Sequence, residues 1–313
     1  MTPRSGPTIE VCLVTYKNRE TIRSAIESAA HIPGNVSVAV HDNDPQSDTL
    51  SVARNCAAEN ALRFRGEYCD DNCGFGKACN SLARSSSAEY LFFLNPDAAI
   101  RSWAWPDLHG IVGAKILDDE LSRHWGRTRT IATEIAIRWL RVRGRRPEGK
   151  GYVSGAAMLV HRLDFLSLGG FDEGYFMYYE DIDLCFRANA ASVPVWGSDD
   201  ISVSHIGGHS ASKDPSVALI RSYESGLKFH TTHSGSSRAW TSFTVADAAL
   251  RAGLYSLMRR RASAGAFVSL IQHALSHDAP IHASHGRVSR FLFPRAEPDT
   301  HKEAKHPGKE DSL

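Results

Sequence analysis

The sequence has no run of about 18 apolar residues, so it contains no candidate membrane-spanning helix. It has no excess of either charge: 36 Lys and Arg stand against 35 Asp and Glu, a formal net charge of +1. No overall field therefore favours nucleic acid as a partner. Met1 to Pro7 carries one Arg and no following signal-like apolar region, so the expected location is the cytoplasm. Cysteine is scarce. Cys12, Cys56, Cys69, Cys73, Cys79 and Cys185 fit no disulfide framework of a secreted domain. Cys69, Cys73 and Cys79 cluster without the paired short spacing of a zinc site, and they read as reduced, structural thiols. There is no internal repeat.

What is present is globular: 42% apolar and 23% charged residues over 313 positions, enough for a catalytic domain with an appendage. Strand-like and helix-like stretches alternate in the first part, which predicts an α/β sheet with helices on its faces. Strands are expected at Ile9–Val14, Val36–Val40, Leu62–Phe64, Tyr90–Leu94, Ile111–Ile116, Gly155–Val160, Val193–Trp196 and Ile201–His205. Helical spacing marks Ile22, Ala25, Ile26 and Ala29, then Leu50–Ala58, a helix opened by Gly74 to Gly76, and Glu180–Asn189. It returns at Val217, Ile220, Tyr223 and Leu227 and across Val245–Ser276, where Leu250, Leu254, Leu257 and Met258 make an apolar stripe. The expected division is a catalytic domain over residues 1–235, a helical extension over 236–283, and a tail over 284–313 whose His, Lys, Glu and Pro content predicts disorder.

Ligands of open α/β sheets gather beyond the carboxyl ends of the strands. Three such ends carry short polar or acidic groups: Thr15 to Asn18, Asp42 to Asp44, and Asn95-Pro96-Asp97. Each also reads as an ordinary turn, since proline cannot continue a ladder and Asn or Asp stabilises turns locally. Their convergence on parallel strands predicts an acidic crevice that a divalent cation would neutralise. Gly74-Phe75-Gly76 reads either as a plain turn or as a place where backbone amides approach a ligand.

The richest segment runs from Gly169 to Arg187. Ile182, Cys185 and Phe186 are its expected buried helical face, and Asp183 can pair with Arg187 four residues on. Glu180 and Asp181 fall in the first helical turn, where acids complement the helix dipole. Three acids within four residues, beside Phe171, Tyr175, Phe176, Tyr178 and Tyr179, exceed what capping needs. An aromatic wall suits a sugar ring and raises a neighbouring carboxylate's pKa, preparing a general base. His205 closes a strand before Gly207 to Ser210; it reads as a structural histidine or, near an acidic crevice, as a ligand for Mn²⁺.

Taken in order, Val14 to Tyr16, Asp42-Asn43, Asn72 to Gly76 with Asn80, Leu94 to Asp97, Gly155 to Leu159, Gly170 to Glu173, Phe176 to Leu184, and His205 with Ser210 resemble the family 2 glycosyltransferases of the GT-A fold. The rhamnosyltransferase-like branch is the nearest in pattern, and the resemblance covers roughly Ile9 to His230. It implies a Rossmann-like mixed sheet with helices on both faces, followed here by the helical extension. It implies an inverting transfer of a sugar, rhamnose being one candidate, from a nucleoside-diphosphate donor to a glycan, glycolipid or glycoside hydroxyl. Thr15, Tyr16, Asp42, Asn72, Gly74 and Asn95 would face the donor nucleotide. Asp97 and His205 would hold Mg²⁺ or Mn²⁺. Asp181 would be the catalytic base, with Glu180 beside it. The first acid of the family's Asp-any-Asp triplet is Asn95 here, which lowers the charge of the metal site.

Two other readings stand. A non-catalytic nucleotide-sugar or glycan-binding protein on the same fold fits Asn95 but not the intact Glu180-Asp181 pair. A nucleotidyltransferase would want a Gly-rich basic loop after the first strand, and Tyr16 to Arg19 has no glycine. Finally, Arg138 to Lys150 holds six basic residues against one acid, and Arg251 and Arg259 to Arg261 flank the late apolar stripe. These read either as a solvated loop with a packed helix or as a surface for an anionic membrane carrying a lipid-linked acceptor.

Overall fold

The computed structural model describes residues 6–44, 46–106, 109–118, 124–126, 129–140, 144–205 and 215–276. The expected Gly207 to Ser210 segment, Arg143 and the 284–313 tail lie outside these residues. In chain order the elements begin β1 (Thr8–Thr15), α1 (Ile22–Ala29), β2 (Asn35–Asp42), α2 (Thr49–Glu59), β3 (Arg63–Tyr68) and α3 (Phe75–Ser85). Next come β4 (Tyr90–Leu94), β5 (Ala98–Trp103), β6 (Ile111–Ile116), β7 (Trp125–Gly126), α4 (Ile131–Trp139), β8 (Glu148–Gly149) and β9 (Tyr152–Val153). The chain continues through β10 (Ala157–His161), α5 (Arg162–Ser167), α6 (Glu180–Ala190), β11 (Val195–His205), α7 (Pro215–Ser234), α8 (Ser237–Leu257) and α9 (Arg261–Ser276).

The main sheet has the order β3-β2-β1-β4-β10-β6-β11-β5, with β8 on the side of β11. Strands β1, β2, β3 and β4 are parallel, β6 runs parallel to β11, and β10 is antiparallel to both neighbours. It is therefore the mixed sheet expected from the sequence. Alternation along β1 shows why both faces are covered. Ile9, Val11 and Leu13 enter one core with Ile22, Ala25 and Ile26 of α1 and Ala53 of α2. Cys12 and Val14 enter the opposite core with Ala78, Cys79 and Leu82 of α3 and Leu184 of α6. A period of two, buried on both sides, is how a central parallel strand reads.

Several details depart from expectation. The two strands expected at 193–205 are one, β11, which shifts register between Ser198 and Ser202 as the exposed Asp199 and Asp200 bulge outward. Strand β5 and helices α4 and α5 are additional to the expected elements; β5 and α5 are only six residues each, whereas α4 carries Ile131, Ile135 and Trp139 at helical spacing. The late helical stretch breaks at Met258–Arg260, with Arg259 at φ 55. Its stripe is not a packed face: Leu250, Leu254, Leu257 and Met258 are exposed, while Trp240, Thr244, Asp247 and Ala248 face inward. Phe186 is also exposed, and Leu184 takes the buried place expected for it.

Helices α7 and α8 pack onto the segment preceding α6. The Tyr179 ring meets Phe229 and Trp240 at centroid distances of 5.6 and 6.0 Å, and Ser225 Oγ donates to Met177 O at 2.8 Å. No helix among the described residues is long and apolar enough to cross a membrane.

Candidate active site

Register brings the predicted metal ligands together. Strand β11 pairs antiparallel with β5 so that His205 lies opposite Ala98, one residue beyond Asp97. Asn95-Pro96-Asp97-Ala98 is a closed turn, with Ala98 N donating to Asn95 O at 3.0 Å. The turn reading thus holds. His205 Nε2 sits 3.1 Å from Asp97 Oδ1 and 3.1 Å from the Asn95 amide nitrogen, across more than 100 residues of chain. The carboxylate oxygen and the imidazole nitrogen are both partly accessible. This donor set fits Mg²⁺ or Mn²⁺.

The acid pair is aimed by strain. Tyr178 and Tyr179 both take left-handed backbone (φ 71 and 67), a conformation that costs bulky residues about 1–3 kcal/mol each. Turning the chain there starts α6 with Glu180 buried and Asp181 at the edge of a cavity of about 440 Å³. Asp181 Oδ2 accepts from Gly155 N at 2.9 Å and Oδ1 from Ile182 N at 2.8 Å. Burial raises its pKa, and these two amides hold the rise back. Glu180 is raised further, by burial and then by the neighbouring Asp181 charge; its Oε2 is buried without a hydrogen-bond partner.

Asn95, Glu180, Asp181 and His205 line this one cavity, together with Tyr178 and Arg129. The other predicted donor residues form a second group, one strand over. Thr15 Oγ1 donates to Asp42 Oδ1 at 2.9 Å, and both residues are buried. The Asp42 carboxylate also accepts from the Asp44 amide and from Ser47 Oγ. Asn43 ties the neighbouring loop down, donating to Gly74 O at 3.2 Å and accepting from Cys73 N at 3.3 Å. Asn72 Oδ1 accepts from Gly74 N, while Tyr16 is exposed at the rim.

The Gly74 and Gly76 backbones both lie tight against the 171–176 segment. A Cβ on Gly74 would meet Phe176 O at 2.4 Å, and one on Gly76 would meet Phe171 Cβ at 3.0 Å. These glycines let the chain approach itself closely. The aromatic wall is smaller than expected. Phe171 and Tyr175 are core residues, Phe176 is exposed outside the cavity, and Tyr178 and Tyr179 remain on its lining.

Two residues escaped the sequence reading. Asp118 follows β6 and accepts from His205 N at 2.8 Å; the strand-end rule applied to Ile116 finds it. Arg129 pairs with Glu134 at 2.8 Å, and Glu134 also accepts from Tyr179 Oη at 3.0 Å. Its only local signal is the Thr130–Thr133 capping box that starts α4.

Against this geometry, residues 10–109 match the family described as glycosyl transferase family 2. Over this segment the chain is similar to family 2 glycosyltransferases. Two curated relatives agree with the rhamnosyltransferase-like pattern. The N-acetylglucosaminyl-diphospho-decaprenol L-rhamnosyltransferase of Mycobacterium tuberculosis is 40% identical over 95 residues, 29% of this chain and 31% of that protein. Rhamnosyltransferase WbbL of Escherichia coli is 55% identical over 42 residues, 13% of this chain and 16% of that protein. The chain thus spans less than a third of the length of the relatives it matches. The solved mannosyltransferase PcManGT from Pyrobaculum calidifontis, in complex with GDP-Man and Mn²⁺, has a TM-score of 0.53 at 13% identity, covering 87% of this chain and 88% of its own. The matched segment therefore sits in a GT-A fold, and the acid pair on α6 and His205 at the end of β11 lie beyond it in sequence.

Proposed function

We propose that the chain is an inverting glycosyltransferase that moves a sugar from a nucleoside diphosphate to a hydroxyl of a lipid-linked glycan. The observation that carries this reading is the Asp181 carboxylate, held by the Gly155 and Ile182 amides at the wall of the cavity that Asn95 and His205 also line. Each Asp181 oxygen keeps a lone pair after accepting its amide. One of them takes the acceptor proton as the acceptor oxygen bonds to the anomeric carbon and the bond to the diphosphate breaks. Burial keeps this base above an ordinary aspartate, matching it better to a hydroxyl proton. Asp97 and His205 would hold Mg²⁺ or Mn²⁺, which supplies counter-charge for the leaving diphosphate. Thr15, Asp42, Asn72 and their loop shape the nucleotide end. Rhamnose is the first sugar to test, because both curated relatives are rhamnosyltransferases.

The acceptor side favours a lipid surface. Leu250, Leu254, Leu257 and Met258 stand exposed on α8, and Arg259, Arg260 and Arg261 are exposed directly after them. An apolar stripe beside three exposed arginines complements an anionic bilayer. Arg138 and Arg251 do not contribute as expected from the sequence: both pair with the buried Asp247 and stack on aromatic rings.

The direct test incubates the chain with a nucleoside-diphosphate rhamnose, Mn²⁺ and a lipid-diphosphate N-acetylglucosamine acceptor. Nucleoside diphosphate release matched by a glycoside of inverted anomeric configuration is expected. A product of retained configuration, or binding of donor without any turnover across a donor panel, overturns the reading.

A further inference from the structure

The spacing of Cys69, Cys73 and Cys79 argues against zinc, and the structure does separate Cys79, which is buried in the core on α3. It supplies a different third ligand. His41 Nε2 lies 2.9 Å from Cys69 Sγ and 3.6 Å from Cys73 Sγ, and the two sulfurs are 2.8 Å apart. Among the described residues this is the one group of three or more His, Cys, Asp or Glu side chains whose donor atoms converge, all within 4.8 Å of one another. On its other side His41 Nδ1 faces Glu67 Oε1 at 2.9 Å, a cross-strand pair set by the β2–β3 register. Glu67 is itself held by Arg65 at 3.3 Å.

We propose that His41, Cys69 and Cys73 form a binding site for a soft divalent cation, Zn²⁺ above all, separate from the Asp97–His205 pair. Three features carry it. The ligand set is two sulfurs and one imidazole, which suits zinc and not the hard cations expected at the sugar-transfer site. The Glu67 carboxylate fixes the proton on Nδ1 and leaves the Nε2 lone pair directed at the sulfurs, as carboxylates behind zinc-bound histidines commonly do. His41 is also buried, with a side chain only 4% exposed, and its Nε2 faces the two cysteine sulfurs. A Cys69–Cys73 disulfide would remove the thiol proton and orphan Nε2; a cation satisfies it.

Tetrahedral zinc separates its sulfur and nitrogen ligands by about 3.5–3.8 Å, so the sulfurs must part by about 1 Å. Both cysteines are half-buried and outside helices and strands, and rotation of the two side chains about χ1 supplies such a movement without shifting the tied backbone. Asn43 Oδ1, 3.2 Å from Cys73 Sγ, or a water completes the shell. The cation would join the ends of β2 and β3 to the loop before α3, the three pieces that surround Asp42 and Asn72. The proposal does not depend on the transferase reading.

The test uses the reduced, chelator-stripped full chain titrated with Co²⁺, a spectroscopic stand-in for zinc. A thiolate-to-metal charge-transfer band that saturates at one equivalent and is displaced by Zn²⁺ is expected. Cys73→Ser and Cys69→Ser should lose the band, and Asp97→Ala should keep it. Glu67→Gln should keep the band but weaken Zn²⁺ affinity by about 10–100-fold. Absence of the band in the folded wild type, its persistence in Cys73→Ser, or its loss in Asp97→Ala overturns the site. So does a Cys69–Cys73 disulfide that forms in air despite excess Zn²⁺. If the serine variants do not fold, the wild-type band and the Glu67→Gln shift decide the question.

Discussion

Asp181 Oδ2 accepts a hydrogen bond from the Gly155 amide at 2.9 Å, joining the first turn of α6 to the residues that lead into β10. The contact aims a carboxylate at the cavity without neutralising it, because a backbone amide carries no charge. Asp181→Asn keeps the shape and loses the proton acceptor. Transfer should fall by about 10²–10⁴-fold while nucleotide affinity stays within a few-fold. Rate and donor affinity are measured on the same preparation; near-normal turnover in the folded variant removes Asp181 from the mechanism.

Burial, reinforced by the Asp181 charge, lifts Glu180 above the ordinary carboxylate range. In the unfolded chain the group returns to about 4.3. The stabilisation linked to its proton is therefore complete below that value and lost as pH rises through the raised folded value. Glu180→Gln should raise the melting midpoint over wild type at pH 8, with the advantage shrinking towards pH 5. Thermal melts across that range check it, and an advantage that grows on acidification contradicts it.

Asp97 and His205 contribute a carboxylate oxygen and an imidazole nitrogen 3.1 Å apart. If they share a cation with the donor diphosphate, Asp97→Ala should abolish the metal-dependent part of nucleoside-diphosphate binding and leave the metal-free part. A thermal-shift series with Mn²⁺ or EDTA reads both, since a ligand of the native state raises the midpoint. Equal shifts with and without metal in the wild type would exclude the shared cation.

Gly74 and Gly169 both have positive φ (85 and 83), but only Gly74 faces an atom that a Cβ would strike, Phe176 O at 2.4 Å. Gly169 has nothing within 4 Å. Left-handed strain of about 1–3 kcal/mol applies to alanine at either position, and the collision adds to it at Gly74 alone. Gly74→Ala should therefore lower the melting midpoint by several degrees more than Gly169→Ala. Equal losses would mean the 72–76 loop gives way freely.

If the α8 stripe meets a bilayer as proposed, Arg259, Arg260 and Arg261 should each contribute about 1 kcal/mol to attraction by anionic lipid. Reversing all three to Glu should weaken binding to anionic vesicles by at least about 100-fold at low salt. Neutral vesicles should bind poorly throughout. Co-sedimentation measures this; a wild type that stays in solution with anionic vesicles makes a small soluble acceptor the better substrate class.

Local pattern determined most of the frame. The apolar runs of β1, β2, β4 and β6 and the spacing of α1, α3 and α6 are decided by neighbours in the chain, so the sequence displayed them directly. It also displayed the strand ends, because polar groups after an apolar run are a local feature, and it singled out Glu180 and Asp181 by their density. Tertiary structure decided what those residues do. Whether Asn95-Pro96-Asp97 is only a turn depends on His205, which the β5–β11 register delivers across 108 residues. Whether Phe171 and Tyr175 wall a cavity or fill a core depends on α3, α6 and α7 closing over them. Whether Cys69 and Cys73 are idle thiols or ligands depends on His41, one strand away and 28 residues earlier than Cys69. The physical reason is common to all three. Periodicity reports which face of an element is buried, whereas a site is a meeting of side chains from elements far apart in sequence, set by strand order and register.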